Sequence, residues 1–150
     1  MSTVTTVHFM IDTSKKSPYI INFPQIGDSS VGYISVTEQN VLIPFEIKRI
    51  FWTYFTPESV VRGRHAHFET EQVLVAAAGR IIITTEDAFG NINIFTLSDP
   101  YKGVYIPPNI WHTMQYTHNA IQLAFASTEF NKNDYIREYE EFKKTWGREE

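Results

Sequence analysis

The chain contains no cysteine, which excludes disulfide bonds, thiolate metal sites and a cysteine nucleophile. It also contains no apolar run near the roughly 20 residues that a membrane-spanning helix needs. Its N-terminus, MSTVTTVHFMIDTSKK, lacks the basic start and apolar core of a secretory signal, so we expect a cytoplasmic protein without a membrane partner. The net charge of −4 argues against broad nucleic-acid binding.

Apolar and aromatic residues are abundant, at 43% and 15% of 150 residues. This composition excludes wholesale disorder, and the length suits a single domain spanning residues 1–150. Between Tyr19 and Ser127, short segments with strand-like patterns are separated by turn residues such as Gly79 and Pro107-Pro108. Many short strands with such punctuation predict an all-β barrel or sandwich.

The two ends of the chain differ from this pattern. Residues 1–18 are polar and aperiodic, and we interpret them as an N-terminal arm or a first edge strand. Near the other end, Asn133 or Asp134 can cap a helix over residues 133–145. We expect its apolar stripe to pack against the barrel; the stripe comprises Tyr135, Ile136, Tyr139 and Phe142.

The segment RGRHAHFETE, residues 62–71, places two imidazoles two positions apart and a carboxylate four positions later. If the segment is extended, His65, His67 and Glu71 point the same way. Such a cluster suits proton transfer, because imidazole has an unperturbed pKa of about 6.5. It equally suits a transition metal, or a hydrogen-bonded core pair without a function.

A second segment, GVYIPPNIWH, ends in His112 just after a Pro-Pro-Asn turn. The two segments together resemble the two-part signature of the cupin fold, a double-stranded β-helix or jelly-roll barrel. In that fold both segments line one barrel mouth. One alternative is therefore a metal-dependent cupin, an oxygenase or isomerase, with His65, His67, Glu71 and His112 as the ligands.

Arginines accompany the histidines. In the strand pattern of residues 47–55, alternation places Arg49 on an aromatic-rich face, where burying a guanidinium is costly unless it meets an anion. Arg62 and Arg64 flank the histidines, which makes a phosphate-bearing ligand plausible. The alternative is surface pairing with nearby glutamates.

Five segments extend the resemblance beyond the two histidine motifs. They are IPFEIKRI, RGRHAH, EQVLV, GVYIPPNIWH and ASTEFNKNDYIREYEEFKK, and together they resemble the dTDP-4-keto-6-deoxyglucose 3,4-ketoisomerases from about Gly32 to Lys144. The resemblance implies a cupin that converts a 4-keto to a 3-keto sugar on a thymidine diphosphate carrier, in the synthesis of bacterial surface glycans such as O-antigen. It also implies a homodimer with an exchanged N-terminal strand, and chemistry without a metal or other cofactor.

The resemblance further implies roles for individual residues. His67 becomes the base that takes the C3 proton and His65 the shuttle between the two oxygens, through an enediol. Other residues are expected to bind substrate, with Arg49 and Arg62 on the diphosphate: Arg49, Arg62, Arg64, Glu71, Tyr105, Trp111 and His112. Tyr105 and Trp111 equally suit a place in the core. A non-catalytic sugar-binding cupin is the remaining alternative.

One departure from the family pattern concerns stereochemistry. Related sequences carry an arginine where this chain has Val31. That position and the one at His112 help to decide the face on which C4 is reprotonated. The galacto or gluco configuration of the product, and the nucleotide sugar accepted, therefore stay open.

Overall fold

The computed structural model describes residues 16–147. Twelve strands and one α-helix make up this part of the chain, with a 3-10 turn over Lys132–Asp134. The elements are β1 (Tyr19–Asn22), β2 (Gln25–Asp28), β3 (Gly32–Ser35), β4 (Arg49–Tyr54), β5 (Arg62–His67), β6 (Gln72–Ala78), β7 (Ile81–Glu86), β8 (Ile92–Leu97), β9 (Lys102–Ile106), β10 (Trp111–Tyr116), β11 (Ile121–Ala126), β12 (Tyr135–Ile136) and α1 (Tyr139–Trp146).

The strands form two five-stranded antiparallel sheets and a separate hairpin. The sheet orders are β1-β9-β6-β11-β4 and β12-β5-β10-β7-β8, and β2 pairs with β3. Apart from the β7-β8 hairpin, neighbours in the two five-stranded sheets are not consecutive along the chain, which is the jelly-roll pattern of a cupin barrel. The predicted all-β fold with a short C-terminal helix is confirmed.

The main core lies between the inner faces of the two sheets. Leu74 and Val104 come from one sheet, Ile83 and Met114 from the other, and all four are buried. Burying one such side chain contributes about 1.5–3 kcal/mol. Alternation then turns the intervening residues of β9 outward, so that Tyr105 joins a second cluster on the outer face of the first sheet.

The helix α1 covers the outer face of the second sheet through Phe142, which is fully buried. The predicted helix over residues 133–145 was wrong at its start, since α1 begins at Tyr139. Tyr135 and Ile136 instead pair with β5 as a short strand. The carboxylate of Asp134 caps no helix because it accepts hydrogen bonds from the loop that follows β5.

Strand β4 lies at the edge of its sheet and exposes every second residue. Ile50, Trp52 and Tyr54 are 53%, 60% and 55% exposed. The hairpin β2-β3 adds Ile26 and Ile34 to the exposed apolar residues. The three neighbouring exposed side chains of β4 make an apolar strip at the edge of the sheet, which is typical of an interaction site.

Most of the predicted N-terminal arm, residues 1–15, lies outside the described residues. Lys16 to Pro18 precede β1 without joining a strand. Within residues 16–147 no helix is long and apolar enough to cross a membrane.

Candidate active site

A β-bulge shapes the strand that carries the two histidines. His65 lies opposite His112 on β10, but Thr113 lies opposite Gly63, so Arg64 is an extra residue. Gly63 and Arg64 have φ values of 85° and 56°, in the left-handed region. A Cβ on Gly63 would lie 2.7 Å from the carbonyl oxygen of His112, so only glycine fits there.

The bulge changes which residues of β5 share a face. Arg62 lies opposite the buried Met114, and His65 lies opposite the buried His112. Cross-strand partners share a face, so Arg62 is on the same face of β5 as His65 although three positions separate them. Arg62 is exposed and sits towards the Tyr116 end of the barrel, where its charge partly opposes the burial that raises the pKa of Tyr116 to about 12.

Three histidines meet on the inner face. The ring centroid of His65 lies 4.9 Å from that of His67 and 4.6 Å from that of His112. One ring nitrogen of each lies within 4.8 Å of the others. Within residues 16–147, His65 Nδ1, His67 Nε2 and His112 Nε2 are buried without a hydrogen-bond partner. Buried polar atoms are normally satisfied, so three orphans in one place indicate a ligand site.

Hydrogen bonds assign the tautomers of two of these rings. His112 Nδ1 lies 3.1 Å from the carbonyl oxygen of Ile110. A carbonyl only accepts, so Nδ1 carries the hydrogen and Nε2 keeps its lone pair. His67 Nδ1 lies 3.1 Å from Asp134 Oδ2, and an ionised carboxylate has the same effect.

Asp134 is ionised because both of its carboxylate oxygens accept hydrogen bonds. It accepts from the backbone N–H groups of Glu69 at 2.7 Å and of Thr70 at 3.3 Å, and from the Thr70 hydroxyl. Burial alone would raise the pKa of Asp134, but the hydrogen bonds from Thr70 and Glu69 outweigh it and the pKa is lowered. His67 therefore donates Nδ1–H to Asp134 and presents Nε2 as a base.

All three imidazoles are neutral near pH 7. Burial, then His65 and the positive charge of Arg49, lower the pKa of His67 to about 4, against the opposing influence of Asp134. Burial also lowers the pKa of His65, and it lowers the pKa of His112 well below its usual range. Neutral imidazoles can accept a proton from carbon or relay one between oxygens.

Arg49 lies on the inner face of the opposite sheet. It lies opposite the fully buried Ala126 on β11. Its guanidinium carbon is 5.4 Å from the ring centroid of Phe51 and 5.7 Å from that of Phe130. Its Nε is buried without a partner among the described residues.

A cavity of about 1040 Å³ opens elsewhere, at the loops after β5, β7 and β9. None of the three histidines lines it. Its charged lining is Glu69, Glu71 and Asp87 with only Lys16 to offset them, so it disfavours an anionic ligand. The histidine cluster is therefore the candidate active site.

The sequence of this chain is similar to a known protein family and to a curated relative. The family model described as "FdtA: WxcM-like, C-terminal" matches residues 16–147. This chain belongs to the FdtA family. A curated relative, the TDP-4-oxo-6-deoxy-alpha-D-glucose-3,4-oxoisomerase of Aneurinibacillus thermoaerophilus, is 39% identical over 127 residues, covering 83% of this chain and 89% of the relative. The resemblance predicted from the sequence is confirmed.

Two solved structures of sugar ketoisomerases are similar to this member of the FdtA family. QdtA, a sugar 3,4-ketoisomerase from Thermoanaerobacterium thermosaccharolyticum in complex with TDP, is 30% identical with a TM-score of 0.82, over 87% of this chain and 94% of QdtA. A 3,4-ketoisomerase from Helicobacter canadensis is 36% identical with a TM-score of 0.82, over 87% of this chain and 98% of that one.

Four residues expected at the site of this FdtA-family chain lie away from the histidines, and two of them are Tyr105 and Glu71. Tyr105 is on the outer face of its sheet and donates its hydroxyl hydrogen to Glu71, which also meets Lys16 at 3.2 Å. Glu71 leaves the histidine face because β5 ends at His67, and the loop to β6 breaks the alternation. Glu71 is therefore not part of the histidine group, so the four-ligand metal set is not assembled.

Trp111 and Arg64 also have other surroundings. Trp111 packs against α1, with its ring centroid 5.4 Å from that of Tyr139 and 5.7 Å from that of Phe142. Arg64 is exposed at the bulge. Of the expected substrate-binding residues, His112 belongs to the histidine cluster, Arg62 shares its face of β5, and Arg49 lies on the inner face of the opposite sheet.

Sequence reasoning missed three residues at the site. Asp134 orients His67, and the ring of Tyr135 lies 4.5 Å from that of His67 and 5.0 Å from that of His65. Arg137 places its guanidinium carbon 4.4 Å from the Tyr135 ring centroid. The strand-like alternation of Tyr135 and Arg137 is the signal that could have placed both residues beside the histidines. Tyr135 fits helical spacing equally well, which is why the sequence predicts a helix there.

Proposed function

We propose that the protein is a sugar 3,4-ketoisomerase that converts dTDP-4-keto-6-deoxyglucose to a dTDP-3-keto-6-deoxyhexose. The observation that carries the proposal is the convergence of three neutral imidazoles whose inward nitrogens lack partners within residues 16–147. A curated relative named for the same reaction and a related structure solved with TDP support the substrate class.

The reaction requires only proton movements. A base takes the C3 proton, the C–H electrons form the C3–C4 double bond, and the C4 carbonyl oxygen becomes an enediolate oxygen. The C3 hydroxyl proton then passes to the C4 oxygen. A proton returned to C4 moves the double bond to the C3 oxygen and completes the 3-keto sugar. Oxidation at C3 balances reduction at C4, so no external oxidant is needed.

The two histidines of β5 suit different steps. His67 has the carboxylate of Asp134 behind it, which fixes Nε2 as the acceptor and stabilises the imidazolium once the carbon proton arrives. His65 has no carboxylate partner among the described residues, and its Nδ1 is buried there without a hydrogen-bond partner. We therefore assign carbon deprotonation to His67 and the oxygen-to-oxygen transfer to His65.

Exposed arginines are suited to the diphosphate. The guanidinium carbon of Arg137 lies 4.4 Å from the Tyr135 ring centroid, and Arg62 lies on the face of β5 that carries the histidines. A guanidinium forms charge-assisted, often bidentate hydrogen bonds with phosphate oxygens. The metal-dependent alternative is not favoured, because the relatives are ketoisomerases and Glu71 is absent from the histidine group.

We propose a homodimer for the assembly, with the N-terminal strand exchanged between subunits. Ile50, Trp52 and Tyr54 supply an apolar surface on β4, and β1 is an edge strand with one side open to pairing in the described part of the chain. Trp52→Asp should produce a monomer in analytical ultracentrifugation. We place the protein in the cytoplasm, because a charged nucleotide sugar does not cross a bilayer unaided.

Proton NMR with dTDP-4-keto-6-deoxyglucose in deuterated water tests the function. The C3 proton signal should disappear through exchange, and signals of a 3-keto product should grow. The same spectra give the C4 configuration of the product. If the sugar stays protonated at C3 and unconverted, the ketoisomerase assignment is wrong.

A further inference from the structure

Arg49 is a half-buried cation without a counter-ion. No carboxylate within residues 16–147 lies within 4.0 Å of its guanidinium, and its Nε has no acceptor. Leaving a buried charged donor unpaired is costly, so the site is built for an anion or a developing negative charge.

Aromatic contacts hold this guanidinium in place. Phe51 and Phe130 both lie within cation–π distance of Arg49. The Phe130 ring is 6.1 Å from the Tyr135 ring, which in turn is 4.5 Å from the ring of His67. A series of ring contacts thus connects Arg49 to the carbon base, and its positive charge contributes to the lowered pKa of His67.

The chemistry at this position needs a fixed positive group. Deprotonation at C3 places a full negative charge on the enediolate oxygens, and the surrounding imidazoles are neutral. A guanidinium keeps its proton throughout the physiological pH range, so it donates hydrogen bonds without competing as an acid. Preorganised donors at a developing oxyanion are among the largest contributions to catalysis.

The diphosphate is less suited to this position. It is attached at C1, across the ring from C3 and C4, so a sugar with C3 at His67 directs its diphosphate away from the carbon base. Arg137 is exposed, with its guanidinium carbon 4.4 Å from the Tyr135 ring centroid, and it can meet a diphosphate that extends towards solvent.

We propose that Arg49 is a catalytic residue that donates hydrogen bonds to the enediolate oxygen formed from the C4 carbonyl, and that it does not hold the dTDP carrier. The inference rests on the proposed ketoisomerase function and corrects the expectation that Arg49 binds the diphosphate. It predicts an effect on kcat that is separate from nucleotide affinity.

The test compares Arg49→Gln and Arg49→Lys with Arg137→Gln, and the matched control is Arg80→Gln, at an exposed arginine just before β7. For each protein, kcat, KM and the rate of C3 deuterium exchange are measured with dTDP-4-keto-6-deoxyglucose, and dTDP binding is measured by calorimetry. Arg49→Gln should lower kcat and exchange about 100- to 1,000-fold while the Kd for dTDP changes by less than about threefold. Arg49→Lys should restore part of the rate, Arg137→Gln should weaken dTDP binding, and Arg80→Gln should leave kcat, exchange and the Kd for dTDP unchanged.

Each other outcome has a definite meaning. A Kd for dTDP at least about tenfold weaker in Arg49→Gln, with kcat retained, would make Arg49 a carrier-binding residue and overturn the inference. Unchanged kcat and Kd with a lower melting temperature would make it a packing residue. If Arg49→Gln does not fold, unchanged kcat in Arg49→Lys overturns the inference and reduced kcat at unchanged Kd supports it. A wild-type protein that shows no C3 exchange removes the proposed function itself.

Discussion

Replacing Asp134 by asparagine should move the ring hydrogen of His67, the candidate base, from Nδ1 to Nε2. The amide oxygen of Asn can replace Oδ1, which accepts from the backbone N–H of Glu69 at 2.7 Å. The weaker 3.3 Å bond from the Thr70 N–H to Oδ2 is then lost, and the Thr70 hydroxyl can turn to accept from the amide. The amide NH₂ would then face His67 Nδ1, now 3.1 Å from the carboxylate. An NH₂ group only donates, so it selects the tautomer with hydrogen on Nε2, and that tautomer cannot take a proton from carbon.

The expected loss is large because both tautomer and charge change. General-base catalysis by a positioned side chain contributes about 100- to 10,000-fold, and the C3 exchange rate should fall by that order in Asp134→Asn. The negative charge of Asp134 also opposes the burial that lowers the pKa of His67, so its removal makes His67 a still weaker base. Deuterium incorporation at C3, followed by NMR at saturating substrate, measures the loss.

A matched control separates this effect from general damage. Asp87 accepts from the backbone N–H groups of Phe89 and Asn91, both at 2.9 Å, in the turn between β7 and β8. Asp87→Asn therefore makes the same chemical change in a similar setting away from the histidines, and it should retain exchange. If Asp134→Asn folds, binds dTDP and exchanges within about threefold of the wild type, the tautomer argument is refuted.

Three further predictions concern the histidines. His67→Asn should abolish C3 exchange while dTDP affinity stays nearly intact, whereas His65→Asn should impair turnover severely and can retain slow exchange; full activity in both would make the pair structural. The free energy of unfolding should fall as the pH drops from 6.5 towards 4, by about 1.4 kcal/mol per pH unit for each buried neutral histidine, because the unfolded chain binds those protons more readily; urea titrations should show a smaller slope in His67→Asn, and an equal slope would contradict it. Ketoisomerase activity should survive treatment with EDTA, because proton transfer by imidazole needs no Lewis acid, and elemental analysis of the treated protein verifies that metal has been removed. Loss of turnover that a single divalent ion restores would favour metal-dependent chemistry.

The sequence was sufficient to predict the barrel and the histidine cluster for identifiable reasons. Alternation places His65 and His67 on one face whatever their partners, and the turn before His112 starts a strand that pairs with them. Both predictions use local periodicity, which survives in the folded protein.

The missed features depend on tertiary pairing. Tyr135 and Ile136 fit helical spacing as well as strand spacing, and pairing with β5 decided between the two. The bulge at Arg64 shifts the phase of β5, which no count along the sequence reveals. Tyr105 faces outward because Val104, the preceding residue of β9, points into the core. Pairing with the neighbouring strand β6 sets this orientation of β9.

The strand register also bears on how the chain folds. The candidate site draws on β4, β5, β10 and β12, and the sheets that hold them join Tyr19 to Tyr105 and Arg49 to Ala126. Contacts between such distant positions form slowly, on the order of milliseconds to seconds in β-rich domains. A chain that has formed only its local hairpins holds the histidines, Asp134 and Arg49 apart. Nucleotide-sugar binding during refolding therefore reports complete closure of the barrel, and a bound ligand should slow unfolding of the whole barrel at once.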